Sequence, residues 1–153
     1  MSIFDPSSFL DMSVDTANST VSIPVPAGEF VAFVDKVEAR PWTSKADPSK
    51  SGIALDILWN IDDAGVKQML DREKVTVKQG IMLDLTETGG LDMGKGKNVG
   101  LGRLREATGL NEQGRPFAFR MLEGKAAKVI VEHRSDPKNT EVIYAEVKAV
   151  AKL

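Results

Sequence analysis

The chain has 153 residues, 42% of them apolar and 27% charged, with a formal net charge of −2 and a pI near 5.5. That length and composition suit one globular domain with a hydrophobic core. The absence of cysteine excludes disulfides, thiolate zinc sites and cysteine nucleophiles. No run of about 18 apolar residues offers a membrane span, and the start MSIFDPSSFLDM lacks the basic and apolar segments of a signal peptide. A reducing cytoplasm is the expected location. The slight acidity argues against a uniformly basic nucleic-acid binder, but a local basic groove is what phosphates require.

In chain order, residues 1–25 read as a flexible N-terminal arm. DTANSTVSIPVP is polar and punctuated by Pro24 and Pro26, and IFDPSSFLDM alternates acidic and apolar residues. The folded domain is expected over 26–153. GEFVAFVDKVEARPW reads as a strand with Phe30, Ala32 and Val34 on one face. Val37 breaks that alternation, and a one-residue slip predicts a β-bulge. ARPWTSKADPSKSG then has the composition of a loop, which places Trp42 in it. SGIALDILWNID is a second strand, with Ile53, Leu55, Ile57, Trp59 and Ile61 inward and Asp56, Asn60 and Asp62 on the other face. DDAG reads as a turn. A third strand is expected from about Arg72 to Leu85. The glycine-rich TGGLDMGKGKN reads as a flexible connection, after which Asn98 can cap a helix ending near Thr108 and Gly109. A short helical turn is expected near Phe117 to Leu122. Two strands close the chain, GKAAKVIVEHR with Ala127, Val129 and Val131 inward, and TEVIYAEVKAV, separated by the turn SDPKN.

The order β-β-β-α-β-β predicts a mostly β, five-stranded, OB-fold-like Greek-key barrel with one helix between strands three and four. Another five-stranded α+β sandwich is the alternative. Catalytic signals are missing. His133 is the only histidine, so no histidine metal cluster can form. GGLDMGKGKN lacks the GxxxxGK[ST] spacing of a phosphate-binding loop, and Asp62 and Asp63 fit a turn. No catalytic residues, metal or cofactor are expected.

Binding signals are better. On such a barrel Phe33, Lys36 and Arg40 face outward from the first strand, and Lys74 and Lys78 from the third. Trp42, Lys45 and Lys50 lie in the first loop. Cations neutralise phosphates and an aromatic ring stacks on a base of any identity, which is the chemistry of single-stranded nucleic-acid binding. Trp42 either stacks in this way or caps the open end of the barrel. Trp59 belongs to the core, and Tyr144 fits either face.

These residues carry a resemblance. IPVPAGEFVAFVDKVE, SGIALDILWNI, NVGLGRLREATGL and the later LEGKAAKVIVEH and EV, in this order over about Ile23 to Val150, resemble phage-encoded single-stranded-DNA-binding proteins with an OB-fold. The resemblance implies a non-catalytic protein that coats single-stranded DNA during phage replication or recombination in the host cytoplasm. Bacterial single-stranded-DNA-binding proteins often end in an acidic tail with a terminal phenylalanine, whereas this chain ends VKAVAKL. The N-terminal IFDPSSFLDM is therefore the candidate for recruiting replication or recombination proteins, or for self-association into a homo-oligomer. The alternative function is a structural or protein-interaction β-domain, such as a virion component or a regulator of host proteins.

Overall fold

A computed structural model describes residues 5–153. Five strands form β1 (Gly28–Thr43), β2 (Ser51–Ile61), β3 (Thr76–Met82), β4 (Ala126–Ser135) and β5 (Ile143–Ala151). They close into a ring in the order β1-β2-β3-β5-β4, with β1 pairing β4. The sheet is mixed. All pairs are antiparallel except β3 and β5, which meet in parallel at the single register pair Lys78 and Glu146. The ring is therefore complete but not a regular barrel.

Its closure depends on β1, which is long enough to serve two neighbours. Residues Gly28 to Phe33 pair β4, and Ala32 to Thr43 pair β2. The register slips between Val34 and Lys36, so Asp35 is the extra residue of a bulge that bends the strand. At that bend Val34 leaves the β4 ladder and exchanges backbone hydrogen bonds with Gly124 and Lys125, both at 2.8 Å. The break in alternation expected at Val37 thus has a structural cause, two residues earlier in the chain at Asp35.

The core lies inside the ring. Ala32 and Val34 of β1, Leu55, Ile57, Trp59 and Ile61 of β2, Val77 and Ile81 of β3, Ala127, Val129 and Val131 of β4 and Val147 of β5 are buried. Trp59 is fully buried, and its Nε1–H donates to Oε1 of the buried Gln79 at 2.8 Å. That bond satisfies both polar atoms where water does not reach.

Among the described residues, three short α-helices accompany the strands. Helix α1 (Pro6–Phe9) lies in the N-terminal arm and buries no residue. Helix α2 (Ala64–Leu70) corrects the sequence reading, which gave DDAG as a turn and began the third strand at Arg72. Asp63 instead caps this helix, its Oδ1 accepting from the Val66 backbone N–H at 2.9 Å, and Val66 packs into the core. Asp71, at φ 52°, ends the helix, and regular β3 pairing starts only at Thr76. Helix α3 (Val99–Ala107) falls between β3 and β4 as expected, burying Leu101, Leu104 and Ala107 against β5 and β3. Gly109, at φ +77°, supplies the left-handed stop after it.

Asn98 does not cap α3 with its side chain. It staples the preceding glycine-rich segment instead. Its Oδ1 accepts from the Asp84 N–H at 2.7 Å, and its Nδ2 donates to the carbonyls of Asp84 and Asp92, both at 2.9 Å. Before β4, Phe119–Leu122 form a 3₁₀ turn near the place expected for one. His133 stands exposed near the end of β4. Its Nε2 lies 2.7 Å from the Val25 carbonyl, which ties the end of the arm to β4.

Candidate nucleic-acid interface

The outer face of β1, β2 and β3 is built by register. Cross-strand partners on one face of a sheet stand side by side. Phe33 lies opposite Asn60, which lies opposite Thr76. Leu58 sits between Lys36 and Lys78, Asp56 between Glu38 and Gly80, and Ala54 between Arg40 and Met82. Trp42 faces Gly52 at the far end. The face therefore has an aromatic ring at each end, with cations and the partly apolar patch of Leu58 and Met82 between them. At about 3.3 Å per residue the two rings are at most about 30 Å apart.

Trp42 is not in a loop. It belongs to β1, which continues through Pro41 to Thr43, and the indole is half-buried. Pro41 is tolerated because β1 at this end has a neighbour only on the β2 side. The β1–β2 connection is correspondingly short. The Ser44 N–H donates to the Lys50 carbonyl at 2.9 Å, and Asp47 accepts from both the N–H and the hydroxyl of Ser49. Lys45 and Lys50 stand exposed on this connection, with no acid within ion-pair distance among the described residues.

The remaining cations are paired. Lys36 Nζ lies 2.6 Å from Glu38 Oε1, and Lys74 Nζ lies 2.9 Å from Asp35 at the bulge. Arg40 Nε lies 2.9 Å and Lys78 Nζ 3.6 Å from the same oxygen, Oδ2 of Asp56. Lys74 precedes β3 rather than belonging to it, and stands at the Phe33 end. Lys36, Arg40 and Lys78 thus come together around Asp56 and Glu38, beside a shallow cavity of about 230 Å³. Lys45 and Lys50 adjoin the Trp42 end.

Asp56 is the residue the sequence reading left out. Its side chain is only 11% exposed, and its Oδ1 is buried with no hydrogen-bond partner. The hydrogen bond from Arg40 holds its carboxyl below the usual carboxylate value, Lys78 adds to that effect, and burial opposes it. The Glu38 carboxylate likewise raises the Lys36 ammonium. This face is a row of ion pairs on an apolar floor rather than a bare cationic groove. The signal was present in the alternation of the second strand, which puts Asp56 outward between two cationic strands.

Elsewhere, Tyr144 lies on the outside of β5. Its hydroxyl donates to Asp136 Oδ2 at 2.9 Å, and Arg134 stacks over its ring. A second concavity of about 310 Å³ opens at the end of the ring, lined by Val37, Ile53, Leu55, Leu85, Leu91 and Phe119 among others. The arm exposes Phe9, Leu10, Met12 and Val14, and its residues 1–4, which include Ile3 and Phe4 of the proposed recruiting segment, lie outside the described residues. No helix among the described residues is long and apolar enough to cross a membrane.

The chain matches no protein-family model, and no curated protein sequence is detectably similar to it.

Proposed function

We propose that this chain is an OB-fold protein that binds single-stranded DNA without catalysis and without strong sequence preference, in phage replication or recombination. The observation that carries the reading is the outer face of β1 to β3. Phe33 and Trp42 stand at its two ends, with Lys36, Arg40 and Lys78 between them and Lys45, Lys50 and Lys74 at the margins. OB-folds bind oligonucleotides on the strand-two and strand-three face and its flanking loops. The strand order β1-β2-β3-β5-β4, with α3 between β3 and β4, supports that fold. Partly exposed rings supply sequence-tolerant stacking, and cations supply phosphate contacts that yield to salt. The arm is proposed to serve protein partners or self-association, since its acidic and apolar composition suits neither phosphates nor bases.

One observation favours a second reading, a protein-interaction β-domain. Four of the six cations are already paired with acids, and the apolar concavity at the ring's end suits a peptide better than a nucleotide. Titration of labelled oligo-dT and of a duplex, each at two salt concentrations, separates the two. The single-strand reading expects oligo-dT to bind more tightly than duplex and to weaken with salt. Absence of oligo-dT binding at low salt rejects it.

A further inference from the structure

We propose that Gly52 is a positioning residue that fixes the indole of Trp42 as a stacking platform for a nucleobase. The proposal rests on the single-strand-binding reading and specifies how one part of that face works. Trp42 and Gly52 are direct cross-strand partners, so the indole lies over the place where residue 52 would carry a side chain. A Cβ there would stand 2.9 Å from Trp42 Nε1 and 3.1 Å from both Cε2 and Cζ2. Contacts that close do not persist, so any side chain at 52 moves the ring.

The indole is held by packing and not by a hydrogen bond. Its Nε1 is buried and has no hydrogen-bond partner. The ring is half-buried, covered by the Gly52 backbone and reaching solvent elsewhere. A ring fixed before binding loses little conformational freedom when a base stacks on it. Arg40, two residues away on the same face, is placed to meet the adjoining phosphate. Gly52 has no left-handed backbone conformation, so alanine fits its main chain. The clashing atoms belong to a side chain and not to backbone, so rotation of the whole indole about χ1 and χ2 relieves the contact without moving the main chain. An aromatic ring laid on a strand glycine also serves stability alone, and the two roles predict different outcomes.

The test compares the full-length chain with Gly52→Ala, Trp42→Ala and the double variant. Three readouts are taken: oligo-dT affinity by fluorescence anisotropy, thermal melting, and acrylamide quenching of tryptophan emission. Quenching reports Trp42 because Trp59 is fully buried. The expected result for Gly52→Ala is an affinity loss of about tenfold, comparable to Trp42→Ala. Its melting temperature is unchanged or higher, its tryptophan is more quenchable, and the double variant binds no worse than Trp42→Ala. Wild-type affinity in Gly52→Ala beside a weakened Trp42→Ala overturns the positioning role and leaves the stacking ring in place. Wild-type affinity in Trp42→Ala removes the ring from the site, and the proposal with it. A wild-type chain that ignores oligo-dT removes the single-strand reading as a whole. A Gly52→Ala chain that does not fold contradicts the premise that only the ring must move, and also overturns the proposal.

Discussion

Asp56→Asn tests whether the ion pairs on the β1–β3 face compete with phosphates. One carboxylate oxygen holds both Arg40, at 2.9 Å, and Lys78, at 3.6 Å. A DNA strand on this face must draw those cations away or do without them. The amide removes the competing charge and nearly preserves shape. The cost to stability is small. Arg40 and Lys78 are 52% and 63% exposed, so losing such pairs costs about 0–1 kcal/mol. Removing a charge from a side chain only 11% exposed offsets part of that through a smaller desolvation cost. The gain in binding is larger. Each cation freed for a phosphate of a single strand steepens the slope of log K against log salt by about 0.7, so two steepen it by about 1.4. Between about 50 and about 200 mM salt the variant's advantage over wild type then shrinks by about sevenfold. Anisotropy with oligo-dT across that range measures it. The stability difference has a defined pH window. The folded carboxyl sits below its ordinary value of 3.8, so the stabilisation from its pairs is present above the unfolded value. It is lost as pH falls through the folded one. Melting temperatures of the two proteins should differ by a constant amount from pH about 5 to 8 and converge below pH about 4. A folded Asp56→Asn protein with wild-type affinity and slope would refute the reasoning, because Arg40 and Lys78 would then meet no phosphate. Weaker binding at every salt concentration would show that Asp56 aims the two cations rather than restraining them.

For the wild type, counting only Lys45, Lys50 and one cation released by its acid gives about two or three phosphates. The expected slope is about −1.4 to −2.1, against about −3.5 if five phosphates are met, and a salt titration decides between them. Trp42→Ala should weaken oligo-dT binding by about 1–3 kcal/mol in the same anisotropy assay. Trp59→Phe leaves Oε1 of the buried Gln79 without its donor. It should cost about 1–3 kcal/mol, seen calorimetrically as a melting point lower by about 3–10 °C, with affinity unchanged below the transition. Deleting residues 1–19 should leave oligo-dT affinity unchanged or slightly higher while altering self-association in light scattering. A large loss of affinity in the folded truncation would place the arm in the site.

Alternation made the strands readable. Ile53, Leu55, Ile57, Trp59 and Ile61 could share an inward face only as a strand, and β2 places them so, with Ile53 half-buried at its start. The slip at Val37 exposed the bulge because an extra residue reverses the faces of everything after it. Helix α2 stayed hidden for the opposite reason. Seven residues are too few to establish a 3.6-residue period, and Asp63 with Gly65 suits a turn as well as a cap. Trp42 was misplaced because Pro41 and the polar residues after it are local signals, while its pairing with Gly52 is not local. The site followed the same division. Which residues face outward is a property of each strand, and Phe33, Lys36, Arg40 and Lys78 were found that way. Which charges touch across strands depends on register, and that brought Arg40 and Lys78 to one oxygen of Asp56, while Lys36 meets Glu38 two residues along the same strand. A cation count from sequence therefore overstates the charge this face presents to a phosphate. The electrostatics of binding turns on Asp56, whose Oδ1 has no partner while its Oδ2 meets two cations. Because that carboxylate stays ionised through neutral pH, the competition is between two anions for the same pair of cations. Salt screens both contests, but only phosphate binding releases the counterions condensed on the strand. The slope, more than the affinity, is thus where the ion pairs on this face should leave their mark.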